Sequence, residues 1–334
     1  MNNIYKKKWQ IEPHWKVATA GSCFAQHIAR YMRANNFSLL DTEPAPPFLP
    51  TNKHTKYGYS TYSARYGNIY TTAQLLQLTR EVDGSFAPQA WIWEKDGRFY
   101  DGLRPAVEPQ GLSSTEEVEL HRRFHVGRVG TLLRSLDLLI FTLGLTETWR
   151  HKRSGTVFPL APGVVAGEYS DDEFEFVNLR YDQVVSDLEE FHERVTAIRG
   201  GAPFKMLLTV SPVPLTATAS GAHVLSATTY SKSVLRACAG HMASRYDHID
   251  YFPSYEIVTN PQSRGTFYEN NLRSVRSDAV AVVMRTFFAE HPPHAENPAA
   301  KQPAPAATTG AGTPADADTL DLQCEEQLLE VFGK

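Results

Sequence analysis

Sulfur is scarce in this chain of 334 residues: the three cysteines, Cys23, Cys238 and Cys324, are far apart and odd in number. That excludes a disulfide framework and a Cys-rich zinc site, and no other metal-ligand cluster stands out. Long apolar runs are also missing. None approaches the roughly 20 residues that span a bilayer, and the N-terminus lacks the apolar centre of a signal peptide. Nor is there a basic stripe. Lys and Arg number 33 against 37 Asp and Glu, for a net charge of −4. Lys6, Lys7 and Lys8 read as a solvated terminal cluster, so nucleic acid is not an expected partner. Together these absences predict a cytoplasmic protein with no membrane span, in which Cys23 stays reduced.

What is present is a core of respectable size, with 42% of the residues hydrophobic. Five short segments read as strands: Lys16 to Ala20, Phe37 to Asp41, Asp137 to Leu143, Phe204 to Val210 and His248 to Phe252. Leu138-Leu139-Ile140-Phe141 and Met206-Leu207-Leu208 are continuously apolar, as parallel strands covered on both faces are. Helical patterns separate them. Phe24, Ile28 and Met32 repeat every four residues beside Ala25 and Ala29. Val184, Leu188, Phe191, Val195 and Ile198 form one stripe, and 227–246 and 277–290 also read as helices. Alternation of this kind predicts an α/β fold, a three-layer α/β/α sandwich around a mostly parallel five-stranded sheet.

The α/β domain is expected to occupy residues 1–292, with an insertion at about 44–135. That insertion is rich in Tyr, Trp, Pro and Gly, including Tyr57-Gly58-Tyr59 and Trp91-Ile92-Trp93. It is expected beside the sheet edge as a substrate wall or lid, its aromatics serving either a sugar ligand or a core. From 293 to 317 Pro, Ala, Thr and Gly predict a disordered linker. Leu320, Cys324, Leu328 and Val331 then share one face of a C-terminal helix over 318–334, suited to a partner protein.

Ligands of open α/β sheets bind at the carboxyl ends of the strands. The first strand is followed by Gly21-Ser22-Cys23, two adjacent nucleophile candidates on a strand-to-helix turn. The same three residues also suit a tight turn with a small Ser and a buried Cys. After the third strand comes Gly144-Leu145-Thr146-Glu147; after the fourth, Ser211-Pro212-Val213-Pro214 and a loop to His223; after the fifth, Pro253-Ser254-Tyr255-Glu256 and later Asn270 to Ser274. One rim thus collects a nucleophile, a glycine turn, a histidine and several amide or carboxyl groups.

The Gly-Ser-Cys-Phe-Ala run at 21–25 resembles the signature of the GSCFA-domain family, which belongs with the SGNH (GDSL-like) hydrolases. Similar stretches recur in order at Ser63 to Tyr70, Phe141 to Trp149, Thr209 to Pro214, Thr229 to Ser233 and Tyr251 to Ile257. The resemblance extends over roughly residues 10–290 and implies an SGNH or flavodoxin-like sheet. It also implies O-acyl ester hydrolysis or transfer on a bacterial surface glycan or its precursor. No resident cofactor follows from it, although acyl-CoA would be the co-substrate of a transferase.

In SGNH enzymes the nucleophile stands two residues after the first-block glycine. This register assigns the nucleophile to Cys23 and leaves Ser22 as a turn or oxyanion residue. The third block, Gly-x-Asn-Asp, is matched by Gly144-Leu145-Thr146-Glu147, with Thr146 in place of the oxyanion-binding asparagine. Gly67 matches the second-block glycine, and Asn68 beside it supplies an amide donor or simply completes a turn. The last block, Asp-x-x-His, is replaced by Asn271-Leu272-Arg273-Ser274. A base is worth ~10²–10⁴ in such chemistry, so His223 becomes the expected proton carrier, although it also reads as a plain surface residue. His27, one turn into the helix, is the second candidate for the base, and it also suits a solvent-facing position. Arg65 and Arg273 suit either an anionic substrate group or structural ion pairs. The competing class is a glycan-binding or scaffold protein that kept the fold after losing the Asp-x-x-His pair.

Overall fold

The computed structural model describes residues 3–293, so the expected linker and C-terminal helix lie outside the described residues. The chain opens with β1 (Val17–Gly21) and α1 (Ala25–Ala34). Then come α2 (Thr72–Val82), the hairpin β2 (Ile92–Lys95) and β3 (Arg98–Asp101), and α3 (Thr115–Ser135). β4 (Leu138–Leu143) is followed by β5 (Glu147–His151), β6 (Val157–Phe158) and β7 (Phe174–Asn178). The chain continues through α4 (Tyr181–Ile198), β8 (Lys205–Val210), α5 (Val224–Arg245), β9 (Ile249–Tyr251), α6 (Ser254–Thr259) and α7 (Ser277–Glu290).

The main sheet has four parallel strands in the order β1-β4-β8-β9. The expected fifth strand, Phe37 to Asp41, is reduced to one parallel bridge between Leu39 and Val17. Two hydrogen bonds flank it, Val17 N to Ser38 O (2.8 Å) and Leu40 N to Val17 O (2.8 Å). Asn36, at φ 61°, turns the chain into this edge, and only a short stretch pairs before it leaves. Counting that vestige, the order is 2-1-3-4-5, whose switch point lies between β1 and β4.

Strand alternation divides the core. Leu139, Phe141 and Leu143 of β4 face a layer with Leu76 of α2, Leu132 of α3, Leu188 of α4 and Leu235 of α5. Leu138 and Ile140 face the opposite layer, with Ile28 of α1, Ile257 of α6 and Met284 of α7. The predicted stripe of α4 is buried at Val184, Leu188, Phe191 and Val195.

The 44–135 stretch is more than an edge insertion, because α2 and α3 belong to one helical layer of the sandwich. Trp93 is buried against Phe158 and Phe174, so this aromatic is core. A second elaboration, unforeseen in the sequence, follows β4: β6-β5-β7 form a three-stranded antiparallel sheet. Among the described residues no helix is long and apolar enough to cross a membrane.

Candidate functional site

β1 ends where only glycine fits. Gly21 has φ +133°, and a Cβ there would lie 2.4 Å from the carbonyl oxygen of Thr142, its partner in β4. A side chain would push the strands apart at their carboxyl ends. The Gly21 carbonyl accepts from Ile69 N (2.9 Å), and Ser22 N donates to Thr142 O (3.1 Å). The chain then turns at once: Ala25 N donates to Ser22 O (2.8 Å) and Gln26 N to Cys23 O (3.1 Å). Ser22 and Cys23 therefore sit between strand end and helix start, at the switch point, only 2% and 4% exposed. The Ser22 hydroxyl is buried with no hydrogen-bond partner among the described residues.

Around this turn runs a ring of neutral polar side chains. The Tyr62 hydroxyl reaches both Ser22 O (3.0 Å) and Asn68 Oδ1 (2.5 Å). Gln26 Nε2 donates to the Tyr62 hydroxyl and to Asn68 Oδ1, each at 3.3 Å. Asn68 Nδ2 donates to the Tyr70 hydroxyl at 3.2 Å. Gly67, at φ +67°, makes the turn that presents Asn68. The Tyr70 carbonyl accepts from the amides of Gly144 (3.0 Å) and Leu145 (2.9 Å), tying the ring to the end of β4. Gly144 packs so closely that an added Cβ would meet Ser22 Cβ at 2.9 Å.

Lys232 closes the ring from α5. It is 1% exposed, and its Nζ donates to Gly144 O at 2.7 Å. The preceding Ser231 accepts from Thr146 N (3.0 Å), and the Thr146 hydroxyl donates to Asn178 of β7 (2.7 Å). Both Thr146 donors are thus engaged in holding the loop. Glu147 accepts from the Thr218 hydroxyl at 2.7 Å.

Other expected site residues lie elsewhere. Arg65 binds Glu108 (2.6 Å) and the carbonyls of Tyr57 and Val107, and its guanidinium stacks 3.9 Å from the Tyr59 ring centre. It is a structural ion-pair partner that braces the insertion. His223 is exposed and caps α5, its Nδ1 accepting from Leu225 N (3.2 Å). Nine residues separate it from Lys232, about 13 Å along the helix axis. His27 does not face solvent: it is buried against Phe24, and burial, with Arg30 nearby, lowers its pKa to about 4. Asn271 Oδ1 accepts from the amides of Arg273 (3.0 Å) and Ser274 (2.9 Å), while its Nδ2 donates to Ser274 Oγ (2.9 Å). The two positions expected for acid and base therefore bind each other, and Arg273 between them is buried.

Gln26, Tyr62, Tyr70 and Lys232 escaped the sequence reading. Lys232 carried the best signal, a lysine on an otherwise apolar helix face inside Thr229 to Ser233. Gln26 lay one helical turn after Ser22. Among the described residues no group of three or more His, Cys, Asp and Glu could hold a metal ion.

No curated protein matches the chain. The GSCFA family matches it over residues 16–287, from the start of β1 into α7 and across every residue of the ring. A match over most of the length, beginning just ahead of the glycine-limited Gly-Ser-Cys turn, shows that the chain belongs to the GSCFA family.

Proposed function

We propose that the chain is an SGNH-like acyl-transfer enzyme, an O-acyl esterase or O-acyltransferase acting on a bacterial surface glycan or its precursor. The observation that carries this reading is the buried ring of Gln26, Tyr62, Asn68 and Tyr70 around the Gly21-Ser22-Cys23 turn at the sheet's switch point. A buried hydroxyl without a partner costs about 1–3 kcal/mol. A site that tolerates this at Ser22 is suited to a bound carbonyl or hydroxyl.

In this mechanism the Cys23 sulfur attacks an ester or thioester carbonyl. The turn amides and Asn68 hold the tetrahedral oxyanion, a role for which one good donor is worth roughly 3 kcal/mol. Collapse expels the alcohol or thiol and leaves a thioester on Cys23. Water or a glycan hydroxyl then attacks the thioester and regenerates the thiol. Of the two proton carriers on α5, Lys232 touches the rim through Gly144 O, whereas His223 begins the helix further up. Lys232 is therefore the favoured carrier, with His223 second.

The test is turnover of p-nitrophenyl acetate, and of acetyl-CoA with candidate glycans, by wild type and by Cys23→Ala, Ser22→Ala, Lys232→Met and His223→Ala. Intact-mass detection of an acyl group on Cys23 is expected in the wild type. Undiminished activity in both Cys23→Ala and Ser22→Ala would overturn the proposal.

The second reading is a glycan-binding or scaffold protein without catalysis. It is favoured by Asn271 and Ser274 binding each other where acid and histidine are expected. Glycan binding by wild type, with no acylated protein from any donor, would select it.

A further inference from the structure

Next to the catalytic turn lies an open trough of about 370 Å³, enclosed by the β5–β6–β7 sheet and the loop after β8. Its walls are Leu145, Trp149, Leu160, Phe176 and Leu215, with Glu147 at its edge. Leu145 belongs to the trough and to the site together. Its amide holds the Tyr70 carbonyl, and its neighbour Gly144 packs on Ser22. Its side chain clusters with Tyr70, Leu215 and Ala227. Leu145 thus joins the trough's lining to Gly144, the residue that packs on Ser22.

We propose that this trough binds an unbranched acyl chain longer than acetyl, carried as a neutral ester or thioester. The inference rests on the acyl-transfer reading for its purpose but not for its binding test. Two features choose the occupant. Sugars need convergent hydrogen-bonding groups, and the trough's hydroxyls are already committed: Thr148 donates to Phe158 O (2.8 Å) and Thr218 to Glu147 (2.7 Å). The lining is otherwise aliphatic, aromatic and proline, which rewards burial of methylenes without satisfying hydroxyls. The Glu147 carboxylate, for its part, disfavours a free fatty acid relative to its ester, because like charges repel.

The test separates binding from turnover. Nile red bound to the full chain is displaced by 1-butanol, 1-hexanol, 1-octanol and 1-decanol. Affinity is expected to rise about fourfold per methylene until the trough is filled. Decanoate at pH 8 is expected to bind more weakly than 1-decanol. Ala217→Trp and Ala161→Trp, which place an indole in the trough, should each weaken 1-decanol binding at least tenfold. Cys23→Ala should leave it unchanged. Affinity independent of chain length, or unchanged in both tryptophan variants with native melting temperatures, would overturn the proposal. Chain-length-dependent binding without turnover of any ester would keep the trough and remove the acyl-transfer reading. Acetate-ester turnover without such binding would do the reverse.

Discussion

Two buried polar clusters meet across Tyr66, whose ring lies 5.7 Å from Tyr62 on one side and 6.3 Å from His125 on the other. The first is the ring around Ser22 and Cys23. The second is built on ion pairs, Arg104 with Asp101 (2.7 Å) and Arg122 with Glu81 (2.5 Å), beside a hydrogen bond between Glu43 and a neutral His125 (2.7 Å). In the second cluster charges answer one another. The hydrogen bond from His125, with Arg104 nearby, holds Glu43 down at about 2 although burial opposes it, and burial with Arg104 lowers His125 to about 4. Its one unpartnered group, His125 Nε2, belongs to a residue lining a void of about 20 Å³, room for a single water. The first cluster answers amides and hydroxyls with one another, adds the amine of Lys232 on Gly144 O, and leaves the Ser22 hydroxyl unanswered at the strand end. One cluster ties the insertion to α2 and α3; the other is arranged for a group that comes from outside.

Substitutions can break that contrast. Cys23→Ala is expected to lower acyl turnover at least a thousandfold and to leave the melting temperature within a few degrees, by steady-state kinetics and calorimetry. A residual rate near wild type would place the chemistry elsewhere. Arg122→Met strips Glu81 and Asp101 of a shared cation. It should cost about 3–5 kcal/mol in urea unfolding with turnover per folded molecule retained; equal losses in both would merge the two clusters into one functional unit. Asn68→Ala should reduce kcat by about 10²–10³, with a smaller stability loss than Arg122→Met. The reverse ranking would make Asn68 a structural residue.

The smallest effect is in pH. His27 and His125 are buried and neutral, with pKa lowered from 6.5 to about 4. Between those values the unfolded chain binds protons that the folded chain does not, so stability rises with pH across that window. Glu43, lowered from 4.5 to about 2, adds the same sign further down. Thermal midpoints should therefore hold steady above pH 7 and fall as the pH drops from about 6.5 towards 4. Midpoints that stay level to pH 4 would contradict the neutral buried histidines.

β4 and β8 were legible because residues 138–141 and 206–208 are unbroken apolar runs, which only a sheet covered on both faces hides completely. Leu39 misled because an edge segment of similar composition forms a single bridge there. Glu147-Thr148-Trp149-Arg150-His151 became β5 through partners at Phe174–Asn178, too distant in sequence and too polar to announce a sheet. In the site, Gly21, Gly144 and the Gly67-Asn68 turn were readable as backbone devices. For Arg65 and His223 the sequence left a structural and a functional reading open, because nearness to a motif says nothing about where a long side chain ends. Arg65 found Glu108, and His223 found the first turn of its own helix.

Local chemistry in the chain determined the turn itself, since a strand that meets Thr142 at Gly21 admits no Cβ and must deliver Ser22 and Cys23 at the helix start. Their surroundings were decided only by tertiary structure. Gln26, the 62–70 stretch with Tyr62, Asn68 and Tyr70, and Lys232 are far apart in the chain, and only the packed sandwich brings their hydrogen-bonding groups within reach. Backbone sterics act between neighbours along and across strands, whereas a polar ring exists only after burial has removed water as the competing partner.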